Sequence, residues 1–254
     1  MANPIIPWMG GKRRLARRII PLIPSHECYV EPFAGAGAIF FRKDPSKVEV
    51  LNDVDADLVN LYRVVQHHLE DFVRQFKWAL ISRQSFLWNQ HADPDGLTDI
   101  QRAARFYYLQ KLTFGAKPTG RTFGVSTTTP PRLNLLRMEQ DLSEAHLRLS
   151  RVVVERLDWL ECMRRYDRHG TFFYCDPPYW GTAGYGKSKD LNLDHYGELA
   201  KQARDGKAKV MVSINDHPDI REVFRGFDMT ELDINYTVGG KRKAAKELLI
   251  RSWH

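Results

Sequence analysis

Asp176-Pro177-Pro178-Tyr179 stands directly after an apolar and aromatic run, Thr171-Phe172-Phe173-Tyr174-Cys175, so the four residues fall at the C-terminal end of a buried strand. In open α/β sheets ligands bind in the crevice beyond such strand ends. The residue types suit one kind of chemistry. An exocyclic amine on a nucleobase is a poor nucleophile, because its lone pair is delocalised into the ring. A carboxylate accepting one N–H and a backbone carbonyl accepting the other draw the nitrogen toward tetrahedral geometry and aim the lone pair at an electrophilic methyl group. Asp176 and the Pro177 carbonyl can supply those acceptors, proline fixes φ and removes a competing donor, and Tyr179 can stack on an extruded base. An amine engaged in a base pair cannot reach a protein pocket, so the base must leave the duplex. Asp176 would orient the amine rather than deprotonate it, since a neutral aryl amine is far too weak an acid for a carboxylate of pKa about 4. The competing reading is an ordinary turn with two prolines.

Other residues suit a nucleoside-like ligand. Glu31-Pro32-Phe33-Ala34-Gly35-Ala36-Gly37 ends a strand in an acid and continues into a turn whose glycines let backbone approach a ligand. The full dinucleotide pattern G-x-G-x-x-G is absent, because Gly37 is followed by Ala38, Ile39 and Phe40. Asp53 ends the next strand, where an acceptor can bind ribose hydroxyls. Gly10-Gly11-Lys12 resembles the tail of a phosphate-binding loop, yet Ile6 and Arg13 stand where that loop needs Gly and Ser or Thr, which disfavours an NTPase. None of Cys28, Cys162 and Cys175 follows a proline, as the nucleophile of a cytosine-C5 enzyme does, and none forms a CxxC pair. Neither a disulfide framework nor a zinc site is indicated, no metal is expected, and the cytoplasm is the natural compartment. Trp180 to Asn192, with Gly181, Gly184 and Gly186, reads equally as a loop that closes over the site or as plain surface.

In 254 residues, 38 Lys and Arg against 31 Asp and Glu leave a net charge of +7, which favours a polyanionic partner. Between Ile100 and Met138 the chain carries Arg102, Arg105, Lys111, Lys117, Arg121, Arg132 and Arg137 with no acid. A solvated basic face would give the same run, but a surface that neutralises DNA phosphates explains its length better. Lys111, Lys117, Arg121 and Arg132 are the candidate DNA contacts, and Lys12, Arg13, Arg14, Arg17 and Arg18 form a second cluster. No apolar stretch approaches the roughly 18 residues that span a bilayer, and no signal peptide is legible, so membrane functions are set aside.

The elements that must position these residues follow from pattern. A helix is expected from about Lys12 to Ile20, strands at Cys28 to Glu31 and Val48 to Leu51, a helix opening after Gly37, and another through Asp57 to Tyr62. Asp71 to Arg148 reads as helical, broken by loops at Lys117 to Arg121 and Thr127 to Pro131. Strands resume at Val152 to Glu155, Thr171 to Cys175 and Lys209 to Ile214, with helices at Asp158 to Tyr166 and Asp194 to Arg204. Met229 to Tyr236 and Glu247 to Trp253 read as antiparallel neighbours joined by a loop over Gly239 to Lys243. The expected class is α/β, with a core of residues 1–70 and 151–254 split around a helical insertion, 71–150.

Taken in order, these motifs resemble the Dam-type, D12 or alpha-class family of site-specific DNA adenine-N6 methyltransferases. Pro7-Trp8-Met9-Gly10-Gly11-Lys12 is similar to its N-terminal cofactor motif, Glu31 to Gly37 to its glycine loop, and Asn52-Asp53 through Leu61-Tyr62 to the acid and helix that follow. Asp176 to Tyr179 is similar to the catalytic tetrapeptide, and Lys241-Arg242-Lys243 through Glu247-Leu248-Leu249-Ile250 to the last hairpin. The resemblance implies a seven-stranded, Rossmann-like methyltransferase sheet, mostly parallel with one antiparallel strand near the C-terminus. The insertion would be a target-recognition subdomain within a discontinuous catalytic domain. It further implies that Asp176, Pro177, Pro178 and Tyr179 act on a flipped adenine in double-stranded DNA, and that Trp8, Lys12, Glu31, Phe33, Gly35, Gly37, Asp53 and Asp176 contact S-adenosylmethionine. A monomer in the cytoplasm of a bacterial or phage-infected cell is expected. Family members often read GATC with a helix and a β-hairpin, and Phe114 to Pro131 is short for that hairpin, which leaves the target sequence open. N4-cytosine methylation, an RNA substrate and a non-catalytic nucleic-acid-binding module are the remaining alternatives.

Overall fold

The computed structural model describes residues 2–8, 12–117, 119–124, 126–181, 192–238 and 241–253, with backbone alone at 13, 234–238 and 241–244. In chain order its helices and strands are α1 (Ala16–Ile19), β1 (Cys28–Glu31), β2 (Val48–Asn52), α2 (Ala56–His67), α3 (Leu69–Arg74), α4 (Arg83–His91), α5 (Asp99–Leu112), α6 (Leu135–Leu149), β3 (Val153–Glu155), α7 (Trp159–Tyr166), β4 (Thr171–Cys175), α8 (Leu193–Asp205), β5 (Lys209–Asn215), α9 (Pro218–Val223), β6 (Asp228–Val238) and β7 (Lys241–Arg251). They form two compact units: Met1–Leu22, Gly35–Asp44 and Asp55–Arg156 in the first, Ile23–Ala34, Pro45–Val54 and Leu157–His254 in the second.

The second unit holds six strands in the order β2-β1-β4-β5-β7-β6. β2, β1, β4 and β5 run parallel, and β7 is antiparallel to both its neighbours. All five residues of β4 are buried, as expected for a central parallel strand. Side chains alternate across the sheet. Val30, Phe173, Cys175, Val212, Ile214 and Leu248 belong to one apolar cluster, with Met163 of α7, Leu199 of α8 and Ile220 of α9. The neighbours of those strand residues, Tyr29, Glu31, Tyr174, Ser213 and Glu247, are buried on the opposite face. Each of the three helices starts at a side-chain cap: Asp158 accepts from Leu160 N, Asn192 from His195 N, and His217 from Asp219 N.

The first unit is mostly helical. Asp55 caps α2 through bonds from Asp57 N and Leu58 N, and Thr98 with Gln101 forms a capping box on α5. α5 is the most buried of these helices, and its Tyr107 ring meets Phe72 and Phe76 edge-on at 5.5 and 5.4 Å. Beyond α5 the chain doubles back, with Phe114 N donating to Thr122 O and Gly124 N to Leu112 O.

Four expectations need correction. No helix follows Gly37; residues 38–42 form turns, tied by Phe41 N to Gly37 O and Lys43 N to Ile39 O. Phe40 and Phe41 are both buried in the core. The helix expected at Lys12 to Ile20 is instead a 3-10 turn (Lys12–Arg14), α1, and a second 3-10 turn (Ile20–Leu22) that accommodates Pro21. α9 was not expected at all, although Pro218 at its first position is a usual helix start. Finally, β6 extends to Val238 and β7 begins at Lys241, so Lys241-Arg242-Lys243 is strand rather than loop.

Candidate active site

In the second unit, the turn after β4 is held by four other elements at three successive residues. Tyr196 Oη of α8 donates to Pro178 O at 2.7 Å. Tyr179 Oη donates to Glu247 Oε2 of β7 at 2.5 Å. Asn215 Nδ2 of β5 donates to Trp180 O at 3.0 Å, while Trp180 Nε1 donates to Asp219 Oδ2 of α9 at 2.9 Å. The Trp180 and Tyr196 rings meet edge to face at 5.8 Å. Asp176 is partly exposed at the strand end, beside a buried Pro177. Burial, then the nearby Asp176 carboxylate, pushes the Tyr174 hydroxyl well above its ordinary range. Burial does the same to the Cys175 thiol, which therefore stays protonated and is an inert strand residue rather than a nucleophile. Of the loop from Trp180 to Asn192, residues 182–191 lie outside the described residues.

The ends of β1 and β2 belong to the same unit. Glu31, buried, accepts from Tyr29 Oη at 2.6 Å. Phe33 stacks on Trp159 with centroids 5.7 Å apart. Asn52 organises this edge from within: its Nδ2 donates to Pro32 O at 2.9 Å and Leu157 O at 3.1 Å, and its Oδ1 accepts from Leu157 N at 2.8 Å. Asp53 follows it, partly exposed, at the C-terminal end of β2. Among the described residues no group of three His, Cys, Asp or Glu could hold a metal ion.

The first unit contains Trp8, Lys12, Gly35 and Gly37, while Met9, Gly10 and Gly11 lie outside the described residues. Gly35 has φ +48°, a conformation that favours glycine, and a Cβ there would sit 3.2 Å from the Trp8 indole, a tight contact. Tyr62 Oη of α2 donates to Gly35 O at 2.6 Å and fixes the turn from its other side. Lys12 is buried, which separates it from the solvated basic cluster expected around it. Gln110, fully buried in α5, donates to Pro7 O at 3.0 Å and Ala116 O at 2.9 Å; it braces the Trp8 segment and the loop leading to Lys117 with one amide.

The four candidate DNA contacts, all in this unit, divide into two pairs. Lys117 and Arg132 are exposed. Lys111 lies 5.1 Å over the Tyr107 ring, and burial lowers its pKa to about 8. Arg121 lies 5.3 Å over Phe106, where burial lowers its pKa and Asp55 opposes that shift. The rest of the basic run has protein partners: Arg105 donates to Asn89 O and Gln90 O, Arg102 lies 3.9 Å from Asp57, and Arg137 lies 3.7 Å from Asp141.

Glu247, Ser213, Asn215, Asn52 and Gln110 hold the candidate residues and were not singled out by sequence reasoning. Two of them carried a signal: Glu247 as a charge heading the apolar strand Leu248-Leu249-Ile250, and Asn52 as the neighbour of Asp53 in the motif.

Comparison with known proteins identifies the family. The model of the D12 class N6 adenine-specific DNA methyltransferases matches residues 8–238. The chain is 26% identical to the Type II methyltransferase M.CviBI of Paramecium bursaria Chlorella virus NC1A, over 92% of this chain and 91% of the relative. It is also 26% identical to the DNA adenine methylase of Escherichia coli K12, over 96% and 93%. A solved structure, TrmN from Thermus thermophilus, aligns with 94% of this chain and 48% of its own at a TM-score of 0.42 and 12% identity; the fold assignment rests instead on strand order and the family model. No described helix is long and apolar enough to cross a membrane. The chain belongs to the D12 class N6 adenine-specific DNA methyltransferase family, and its reaction is transfer of a methyl group from S-adenosylmethionine to the exocyclic N6 of adenine in DNA.

Proposed function

We propose that Asp176, Pro177, Pro178 and Tyr179 carry this reaction on an adenine flipped from double-stranded DNA. The observation that supports the assignment is the fixation of residues 178–180 by α8, β7, β5 and α9, because a turn held on all sides presents the Asp176 carboxylate and the Pro177 carbonyl as preorganised acceptors. Those acceptors take the two N6 hydrogens and turn the lone pair out of the ring, while the Tyr179 ring stacks on the base. The nitrogen becomes cationic on methylation and then loses its proton readily, with Asp176 already hydrogen-bonded to it as the acceptor.

Trp8, Lys12, Glu31, Phe33, Gly35, Gly37, Asp53 and Asp176 are the residues we assign to S-adenosylmethionine. A glycine turn closely packed on an indole, an acceptor at the end of β2 and an aromatic ring at Phe33 fit a nucleoside with a charged tail. When bound, the cofactor supplies the electrophilic methyl group. The donor set contains no metal-binding cluster among the described residues, and the proposed chemistry needs none. Lys117 and Arg132, with the less exposed Lys111 and Arg121, are assigned to phosphate contacts in a target-recognition segment spanning 71–150. A monomer acting in the cytoplasm completes the reading.

The test is Asp176→Ala: methyl transfer should fall by about 10²- to 10³-fold, as for loss of a transition-state hydrogen-bond partner, while thermal stabilisation by S-adenosylmethionine survives in part. Near-normal turnover would overturn the assignment.

A further inference from the structure

The polar face of the second unit's sheet contains a carboxylate that the chemistry above does not use. Glu247 is 0% exposed. Its Oε2 accepts from Tyr179 Oη and its Oε1 from Ser213 Oγ, both at 2.5 Å. Ser213 and Glu247 reach each other because β7 pairs antiparallel with β5, in a register that sets Asn215 opposite Glu247 and Ser213 opposite Leu249. A buried carboxylate is an expensive way to fill space: desolvating it costs several kcal/mol before its hydrogen bonds are counted, and an apolar residue of similar volume is often as stable or more so. Stability therefore does not explain Glu247. The two short bonds do something an apolar residue could not, which is to anchor a hydroxyl.

Backbone bonds at Pro178 and Trp180 hold the chain on either side of Tyr179, and its ring packs against the apolar cluster of the sheet; neither addresses its hydroxyl. The bond from its hydroxyl to Glu247 fixes the far end of the ring, and Ser213 keeps the carboxylate from following if the ring moves. Charge-assisted O–H···O bonds are roughly twice as strong as neutral ones and strongly directional, so the arrangement suits positioning.

We propose that Glu247 is a positioning residue for methyl transfer: it holds the Tyr179 hydroxyl so that the ring on which adenine stacks has a preset orientation beside Asp176. The proposal rests on Tyr179 as the base-stacking residue. It makes Ser213 the second anchor and assigns to β7, at the far end of the sequence from the glycine turn, a role in holding the base through Tyr179.

The experiment is a double-mutant cycle on the full-length protein with Glu247→Gln, Tyr179→Phe and the pair, plus Tyr179→Ala. Single-turnover methylation of unmethylated plasmid DNA is measured beside S-adenosylmethionine affinity and melting temperature. Glu247→Gln keeps shape and burial, so it separates charge from packing. Each conservative single variant is expected to slow methylation by about tenfold, within the range that small misplacements of a reacting group produce, with cofactor affinity within about twofold of the parent. The double variant should be no slower than the slower single, because without the hydroxyl the carboxylate has nothing to hold. A parental rate for Glu247→Gln, or losses that multiply in the double variant, would overturn the proposal. If Tyr179→Ala also methylates at the parental rate, the base-stacking assignment itself fails; if it is slow while Glu247→Gln is unaffected, only the positioning role of Glu247 fails.

Discussion

The turn after β4 and the basic stretch from α5 into α6 were both singled out by residue type, and the structure treats them differently. In the turn, residues 178–180 each bond to a different element of the second unit, and Asp176 precedes them at the strand end. In the basic stretch of the first unit, Arg105 is committed to two backbone carbonyls, and Lys111 and Arg121 lie over aromatic rings. Arg102 and Arg137 have carboxylates within 4 Å, supplied by Asp57 and Asp141 from outside the acid-free run. Lys117, Arg132 and Arg137 are exposed, and of these Arg137 lies 3.7 Å from Asp141. A turn at a strand end is fixed by its neighbours residue by residue, whereas a run of charges does not say which charges reach solvent.

The comparison is most sharply tested by loosening the turn. Tyr196→Phe with Asn215→Ala removes the donors to Pro178 O and Trp180 O, and single-turnover methylation should fall by about 100-fold with cofactor stabilisation retained. A fall of less than about threefold would mean that the fixed turn is dispensable. Next in size, Arg105→Ala should destabilise the fold by about 2 kcal/mol in urea unfolding and leave the salt dependence of DNA binding unchanged. A flattened salt slope would return Arg105 to the DNA surface. Lys117→Ala and Arg132→Ala should do the reverse, each reducing the slope of log affinity against log salt by about 1 with no change in melting temperature.

The smallest effect concerns Lys111. Its pKa in the folded protein is lowered from 10.5 to about 8, chiefly by burial. Between those values the unfolded chain binds a proton that the folded chain has released, so stability should rise with pH from about 8 toward 10.5. Lys111→Met should remove that rise in urea titrations across the window; an unchanged rise would assign it to another group. Any phosphate contact made by Lys111 should also weaken as pH passes 8.

Much of the second unit's fold was legible because a strand buried on both faces reads as a short apolar run closed by a turn, as at Cys28 to Glu31 and Thr171 to Cys175. Helices with a clear cap, such as those after Asp55 and Asp158, were equally plain. Residues 38–44 were not, since helix pattern and turn pattern coincide over so few residues. The candidate site divides in the same way. Asp176 and Tyr179 were legible from their types, while Asn52, Gln110, Ser213 and Glu247 act through partners that strand register and helix packing bring to them. Asn52 finds Leu157, Gln110 finds Pro7, and Glu247 finds Tyr179 68 residues away.

By itself the sequence determined the chemistry on offer: a carboxylate and a proline-fixed carbonyl at a strand end, a glycine turn, an acid after the next strand, and their order along the chain. These are local matters of residue type and backbone preference. Only the tertiary structure decided that β7 lies between β5 and β6, that Glu247 thereby meets Tyr179 and Ser213, and which cations of the basic run stay in water. Those outcomes depend on contacts between residues far apart in the chain, whose energies are set by burial and register and have no local signature.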